Sequence, residues 1–192
     1  MTWWDIGKIL LTAVLTALGS ALAFKYKFIP EFRTTKRAEF LEKQLSELYG
    51  PLKILIRKVR IVSENRVREY QAFHKYARPE VAKHDEQHAH LMAKHNDELR
   101  TIIIPAYEEM ATLLSTKAHL AEPEVIEGFD PFYRFLKTWQ DHLAKPIAER
   151  LPGPAARELG EEHKEPHDYF ALIEQQFEQK LREYRGMFSP RS

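Results

Sequence analysis

The pattern of apolar and polar positions begins with an uncharged apolar run, Ile9–Phe24, near the start of the chain. Trp3 and Trp4 precede this run, and Lys25 follows it. A membrane-spanning helix needs about 20 mostly apolar residues, and aromatic residues are typical of its two ends. The pattern therefore predicts a transmembrane anchor within residues 1–29.

The charges on either side of the run predict its orientation. Only Lys8 precedes it, whereas five basic residues follow: Lys25, Lys27, Arg33, Lys36 and Arg37. Basic residues favour the cytoplasmic side, so we expect the N-terminus outside and the bulk of the chain in the cytoplasm, at a cell membrane crossed once. The alternative is a secretory signal peptide, because Ala21-Leu22-Ala23 resembles a cleavage site. The start of the chain lacks the basic charge of a signal peptide, which favours the anchor.

Small and hydroxylated residues lie on one face of this predicted membrane helix. Residues of this kind let two helix backbones approach closely in lipid, which predicts self-association. The same residue types are also common in membrane helices that do not associate. The face consists of Thr12, Thr16, Gly19, Ser20 and Ala23.

After Pro30 the apolar residues recur at alternating spacings of four and three. This heptad pattern is typical of a helix that packs one side against another helix. The pattern continues through Gly50-Pro51, where proline removes a backbone hydrogen bond, so we expect a bend there. A static kink and a hinge that transmits a membrane signal both fit. The helix-packing seam consists of Leu41, Leu45, Leu48, Leu52, Leu55, Val59 and Val62.

Helical periodicity returns in three later stretches, at about 80–120, 130–151 and 167–185. Polar residues dominate near 64–100, which predicts a hairpin that protrudes from the core and offers a surface to a partner. Strand signals are nearly absent. The predicted fold class is all-α, with the N-terminal transmembrane helix followed by a cytoplasmic bundle of about four long helices in residues 30–192.

Composition excludes several kinds of chemistry. The chain of 192 residues has no cysteine, so disulfides, thiolate metal sites and cysteine nucleophiles are excluded. The formal net charge is +1, which indicates no global attraction to nucleic acid. No phosphate-binding glycine loop and no G-x-S-x-G motif occurs. We therefore expect no cofactor and no enzymatic activity.

Histidine is the one residue type that suggests a metal site. His84 and His88 lie four residues apart, as do His163 and His167, and two such pairs would suffice for a tetrahedral Zn²⁺ site. The first pair lacks the glutamate that follows the first histidine in zinc protease helices. A solvated polar helix is therefore the favoured interpretation, with metal binding and pH sensing as alternatives.

A basic run between the seam and the predicted hairpin suggests contact with anionic lipid or nucleic acid. Glu64 and Glu69 interrupt it, and no aromatic stacking surface accompanies it. A solvated face is the favoured interpretation, and no nucleic-acid partner is expected. The run consists of Arg57, Lys58, Arg60, Arg66 and Arg68.

The segment Phe40–Leu52, which reads FLEKQLSELYGPL, resembles a signature of small uncharacterised bacterial single-pass membrane proteins. Those proteins carry E-x-Q-L-x-x-L-Y-G-P-L after an N-terminal membrane helix. The resemblance implies a bacterial source and the same layout, and it implies no activity. The expected function is a membrane-anchored, non-enzymatic helical protein that self-associates or holds a partner protein. The alternative is a metal-binding or membrane-signal-sensing protein that uses the clustered histidines.

Overall fold

The structure is a computed structural model that describes residues 16, 25, 29–76, 84–144 and 167–188. Within these ranges the chain is helical and contains no strand. The predicted all-α class is therefore confirmed for the part of the chain that is described, and its long helices agree with the expected number of about four.

The elements follow one another in the order α1 Ile29–Lys43, a first π turn Gln44–Tyr49, α2 Gly50–Tyr76, α3 His84–Glu98, a second π turn Leu99–Ile103, α4 Ile104–Thr116, a 3-10 turn Ala118–Leu120, α5 Pro123–Glu127, α6 Phe129–Ala144 and α7 His167–Phe188. Between the 3-10 turn and α6, the chain forms the short helix α5. Pro123 takes the first helical position there, where its missing N–H costs no hydrogen bond.

Two compact units divide the chain. The first comprises Met1–Glu42 and Arg182–Ser192. In its described part, the Arg37 guanidinium donates to both carboxylate oxygens of Glu183, at 2.7 and 3.0 Å. This two-point pairing joins the two separate stretches of chain that make up the unit.

The second unit comprises Lys43–Leu181 and contains the main hydrophobic core. In it α2 packs against α3 and α4, and α4 packs against α6. Tyr107 of α4 lies at the centre of an aromatic cluster, with ring centroids 5.7 to 5.8 Å from those of Phe132, Phe135 and Phe170. The pairs of Tyr107 with Phe132 and Phe135 are edge-to-face, an arrangement that adds to the stabilisation from apolar burial.

Each of the two π turns comes directly before a helix that has proline as its second residue. The proline ring clashes with the carbonyl four residues earlier in a regular helix. The wider π turn relieves that clash. In it, the N–H of the residue just before the proline bonds to the carbonyl five residues earlier. The Gly50 N–H accordingly donates to the Leu45 carbonyl, before Pro51, and the Ile104 N–H donates to the Leu99 carbonyl, before Pro105.

The predicted membrane anchor lies outside the described residues, except for Thr16, Lys25 and Ile29. Among the residues that are described, no helix has the length and apolar character needed to cross a membrane.

Candidate functional site

The first π turn projects three polar side chains toward the segment that joins α4 to α5. They are Gln44, Glu47 and Tyr49, and all three belong to the FLEKQLSELYGPL segment noted in the sequence. A π turn places successive side chains differently from an α-helical turn, and such turns are frequent at functional sites. Gln44 is one of three buried polar or charged residues in the described part of the chain, and we therefore take this cluster as the candidate site.

Gln44 is almost completely buried, with 1% of its surface exposed. Its amide nitrogen donates to the Leu120 carbonyl at 2.8 Å and to the Glu122 carboxylate at 3.3 Å. Its amide oxygen has no hydrogen-bond partner within the described residues. Gln44 therefore fixes the Leu120 backbone at the point where the chain leaves the 3-10 turn.

Glu122 is the hub of the cluster. Its carboxylate pairs with the ammonium group of Lys180, whose side chain is 6% exposed. Its backbone N–H donates to the Tyr49 hydroxyl at 3.0 Å. One residue of the linking segment is thus held by the π turn on one side and by α7 on the other.

Burial shapes the acid–base properties of Tyr49. Desolvation disfavours the charged phenolate and raises the pKa of Tyr49 to about 12, from an ordinary value of 10.0. The phenol is therefore neutral at physiological pH and serves as a hydrogen-bond acceptor for Glu122.

An exposed ion pair lies at the rim of the cluster. The Lys117 ammonium donates to the Glu47 carboxylate at 2.6 Å. This hydrogen bond and the accompanying charge attraction lower the pKa of Glu47 below its ordinary range. The pair adds a second attachment between the π turn and the end of α4.

The chemistry of this arrangement is that of a structural clasp. Its one buried cation is already paired with a carboxylate, and its phenol hydroxyl and amide nitrogen are bonded to backbone groups. The result is a fixed position for residues 117–122 against α7 and the π turn.

A packing contact next to α5 extends the clasp. The Tyr169 hydroxyl donates to the Val125 carbonyl at 2.8 Å, and burial raises the pKa of Tyr169. The Tyr169 ring lies against Gly128, where a Cβ atom would come within 2.5 Å of it. Glycine at this position therefore allows the ring to reach the backbone of α5.

The seam residues divide by exposure. Leu41, in the first unit, is fully buried. In the second unit Leu48, Leu52, Leu55 and Val59 are buried, whereas Leu45 and Val62 are only partly buried. The membrane-face residues Thr12, Gly19, Ser20 and Ala23 lie outside the described residues, and Thr16 is exposed.

The histidines considered for metal binding form no ligand group within the described residues. His88 lies in α3, where its ring is 6.0 Å from that of His74 in α2. His84 also lies in α3, His163 is outside the described ranges, and His167 is exposed at the start of α7. Across the described residues, no group of three or more His, Cys, Asp or Glu side chains is arranged to hold a metal ion.

His95 contributes to the α2–α3 hairpin instead. It is 6% exposed and lies 3.2 Å from the Glu69 carboxylate, which also accepts from Lys94 at 2.5 Å. The Lys94 hydrogen bond, the larger influence, and the His95 contact both lower the pKa of Glu69.

A groove of about 580 Å³ runs between α2 and the start of α7. Ile56, Val59 and Phe170 supply apolar walls, and Arg60 and Arg68 lie along its edge. Arg60 pairs with Glu174 of α7 at 2.8 Å. The groove edge is therefore partly closed by an ion pair.

Two members of the clasp, Glu122 and Lys180, did not stand out in the sequence. A signal for Lys180 does exist: it follows Ile173 and Phe177 at helical spacing, which places a charge in the buried stripe of α7. Glu122 carries no such signal, because it lies between helices.

No protein-family model matches this chain, and no significant match was found among curated proteins or solved structures. The class that fold and site define is an all-helical protein with a buried polar clasp.

Proposed function

We propose that the protein is a membrane-anchored, non-enzymatic helical protein that self-associates or holds a partner protein at the cytoplasmic face of a cell membrane. The observation that carries the proposal is the uncharged run Ile9–Phe24 with its basic C-terminal flank. A run of this kind suits the hydrocarbon core of a bilayer, and its flank suits the cytoplasmic side.

The clasp supports a structural role for the part that follows. The Gln44 amide nitrogen, the Tyr49 hydroxyl and the Lys180 ammonium group are engaged in holding residues 120–122, which favours a fixed surface on the second unit. A fixed helical surface is what a scaffold presents to a partner, because less ordering is then needed on binding.

Membrane anchoring is tested by alkaline carbonate extraction of membranes that contain the full chain. We expect the wild-type chain to stay in the membrane pellet. The variant Leu15→Arg/Leu18→Arg should be released, because each arginine at the centre of a span costs about 3 kcal/mol of insertion free energy. Release of the wild-type chain would contradict the anchor.

Orientation is tested with single cysteines, since the chain has none of its own. A membrane-impermeant maleimide should label Thr2→Cys in intact cells and Ser192→Cys only after lysis. The reverse pattern would contradict the proposed orientation.

Self-association is tested by measuring the mass of the full chain in detergent. We expect a defined oligomer that Gly19→Ile weakens, because the added side chain separates the two backbones. Ala21→Ile is the matched control, since it introduces the same side chain on the opposite side of the predicted helix. A strict monomer, or equal effects of both variants, would contradict association through this face.

A further inference from the structure

The outer side of α2 carries a continuous stripe of exposed residues without an acidic member. We call it the outer stripe. At about 100° of rotation per residue, its members lie within roughly 50° of one line along the helix. All are exposed, and the stripe consists of Ile54, Arg57, Lys58, Ile61, Asn65, Arg68, Ala72, Lys75 and Tyr76.

The stripe combines positive charge with exposed apolar side chains. Four of its nine members are basic, in a chain whose formal net charge is only +1. Ile54 is 70% exposed, Ile61 is 50% exposed and Tyr76 is 72% exposed. Single exposed apolar residues are ordinary, but here they share one face with the cations.

The two acidic residues of α2, Glu64 and Glu69, lie at the edges of the stripe, and each forms an ion pair. Glu69 pairs with Lys94 of α3, and Glu64 lies 3.7 Å from Arg68. Within the described residues, neither Arg57 nor Lys58 takes part in a salt bridge. The charges of Arg57 and Lys58 are therefore not neutralised by an ion pair in the described part of the chain, whereas Arg68 is paired with Glu64 at the border of the stripe.

We infer that the outer stripe lies against the anionic headgroup surface of the membrane, an inference that rests on the proposed anchor. Helices that lie in a membrane surface combine Lys and Arg with apolar and aromatic side chains in this way. Each cation near an anionic leaflet contributes about 1 kcal/mol, which is about a fivefold change in the docked-to-undocked ratio. The stripe is roughly 33 Å long from Ile54 to Tyr76, with two cations in its first part and two in its second.

The test measures how close the stripe lies to the lipid headgroups. The full chain is reconstituted into vesicles of phosphatidylcholine alone or mixed with phosphatidylglycerol. A bimane label is placed on Asn65→Cys, and lipids with a headgroup nitroxide quench it. The control label is Asp141→Cys, an exposed position on α6, which packs on α4 rather than on α2.

We expect strong quenching of the Asn65→Cys label in the anionic vesicles and weak quenching of the control label. Arg57→Glu/Lys58→Glu should lower the docked-to-undocked ratio at least about 25-fold, from the loss of two cations. Salt at about 1 M should do the same, because the Debye length falls to about 3 Å. The matched variant Arg134→Glu/Lys137→Glu, with the same charge change on α6, should have no effect.

Three outcomes overturn the inference. If the anchored chain resists carbonate but its Asn65→Cys label is quenched no more than the control, the stripe does not dock, although the anchor stands. A second outcome is that the full chain binds duplex DNA, that Arg57→Glu/Lys58→Glu abolishes this binding, and that the Asn65→Cys label shows no proximity to lipid. The stripe would then be a nucleic-acid-binding surface. Release by carbonate contradicts the anchor itself, and the docking inference then falls with it.

Discussion

Removal of the Glu122 carboxylate is expected to destabilise the second unit strongly, because the buried ammonium group of Lys180 then loses its partner. The Lys180 side chain is 6% exposed, whereas that of Glu122 is 28% exposed. Removal of one partner from a buried ion pair costs about 3–5 kcal/mol of unfolding free energy. Because water reaches one side of this pair, we expect about 3 kcal/mol for Glu122→Ala.

The reverse variant, Lys180→Met, is expected to cost less, at about 1–2 kcal/mol. The Glu122 carboxylate keeps access to water and the hydrogen bond from Gln44 at 3.3 Å. The double variant Glu122→Ala/Lys180→Met should cost less than the two single variants together, because it leaves no buried charge without a partner. The unequal single values are the specific expectation from the depths of the two side chains.

The measurement is urea unfolding of the full chain in mild non-ionic detergent, followed by far-UV circular dichroism. Urea is chosen because guanidinium is itself a salt that screens charge pairs. The control is Lys36→Met, which removes a partner of the exposed pair with Glu39, and it should cost less than about 0.5 kcal/mol. The reasoning is refuted if Glu122→Ala costs no more than this control, or less than Lys180→Met.

Three further predictions concern the same region. Gly50→Ala should lower the unfolding free energy by about 1–3 kcal/mol, because a Cβ atom there would lie 2.6 Å from the Leu45 carbonyl oxygen. The control Gly186→Ala should not lower it, because nothing lies within 4 Å of the added Cβ atom. Equal effects of the two variants would contradict the close approach at Gly50. Because the folded-state pKa of Tyr49 is raised, its contribution to stability should be complete below pH 10.0 and should be lost as the pH rises toward about 12. Tyr49→Phe should therefore flatten the alkaline part of the plot of unfolding free energy against pH. An unchanged slope would contradict the burial of the phenol. Because its folded pKa is lowered, Glu47 should contribute stability that is present above pH 4.5 and lost as the pH falls below it; Glu47→Gln should reduce that acid dependence, and an identical acid titration would show that the pair with Lys117 contributes nothing.

The helices could be predicted from the sequence, because burial of one helix face requires apolar residues every three or four positions, and this spacing is visible in the sequence. The seam of α2 shows this: Leu52, Leu55 and Val59 are buried at the spacing that the sequence displays. The repeat fails where the backbone departs from α-helical geometry. In the first π turn, Gln44 is buried and Leu45 is only partly buried, which an apolar seam through Leu45 would not suggest.

The clasp could not be predicted from the sequence, for a different physical reason. Its hydrogen bonds join residues that lie far apart along the chain, as in the bond from Gln44 to the Leu120 carbonyl. Periodicity reports which face of a helix is buried, and it carries no information on which loop meets that face. The polar residues in FLEKQLSELYGPL were visible as a pattern, but their partners Glu122 and Lys180 emerge only from the packing.

The basic run shows how a linear view conceals a surface. In the sequence Glu64 and Glu69 interrupt the arginines, which favours a merely solvated face. On the helix, Arg60 turns aside to pair with Glu174, and Arg66 is partly buried. The remaining cations align with Lys75, which the linear run does not include, while the two glutamates fall at the edges. The charge that should meet a membrane is therefore a property of the α2 surface, and the net charge of the chain does not reveal it.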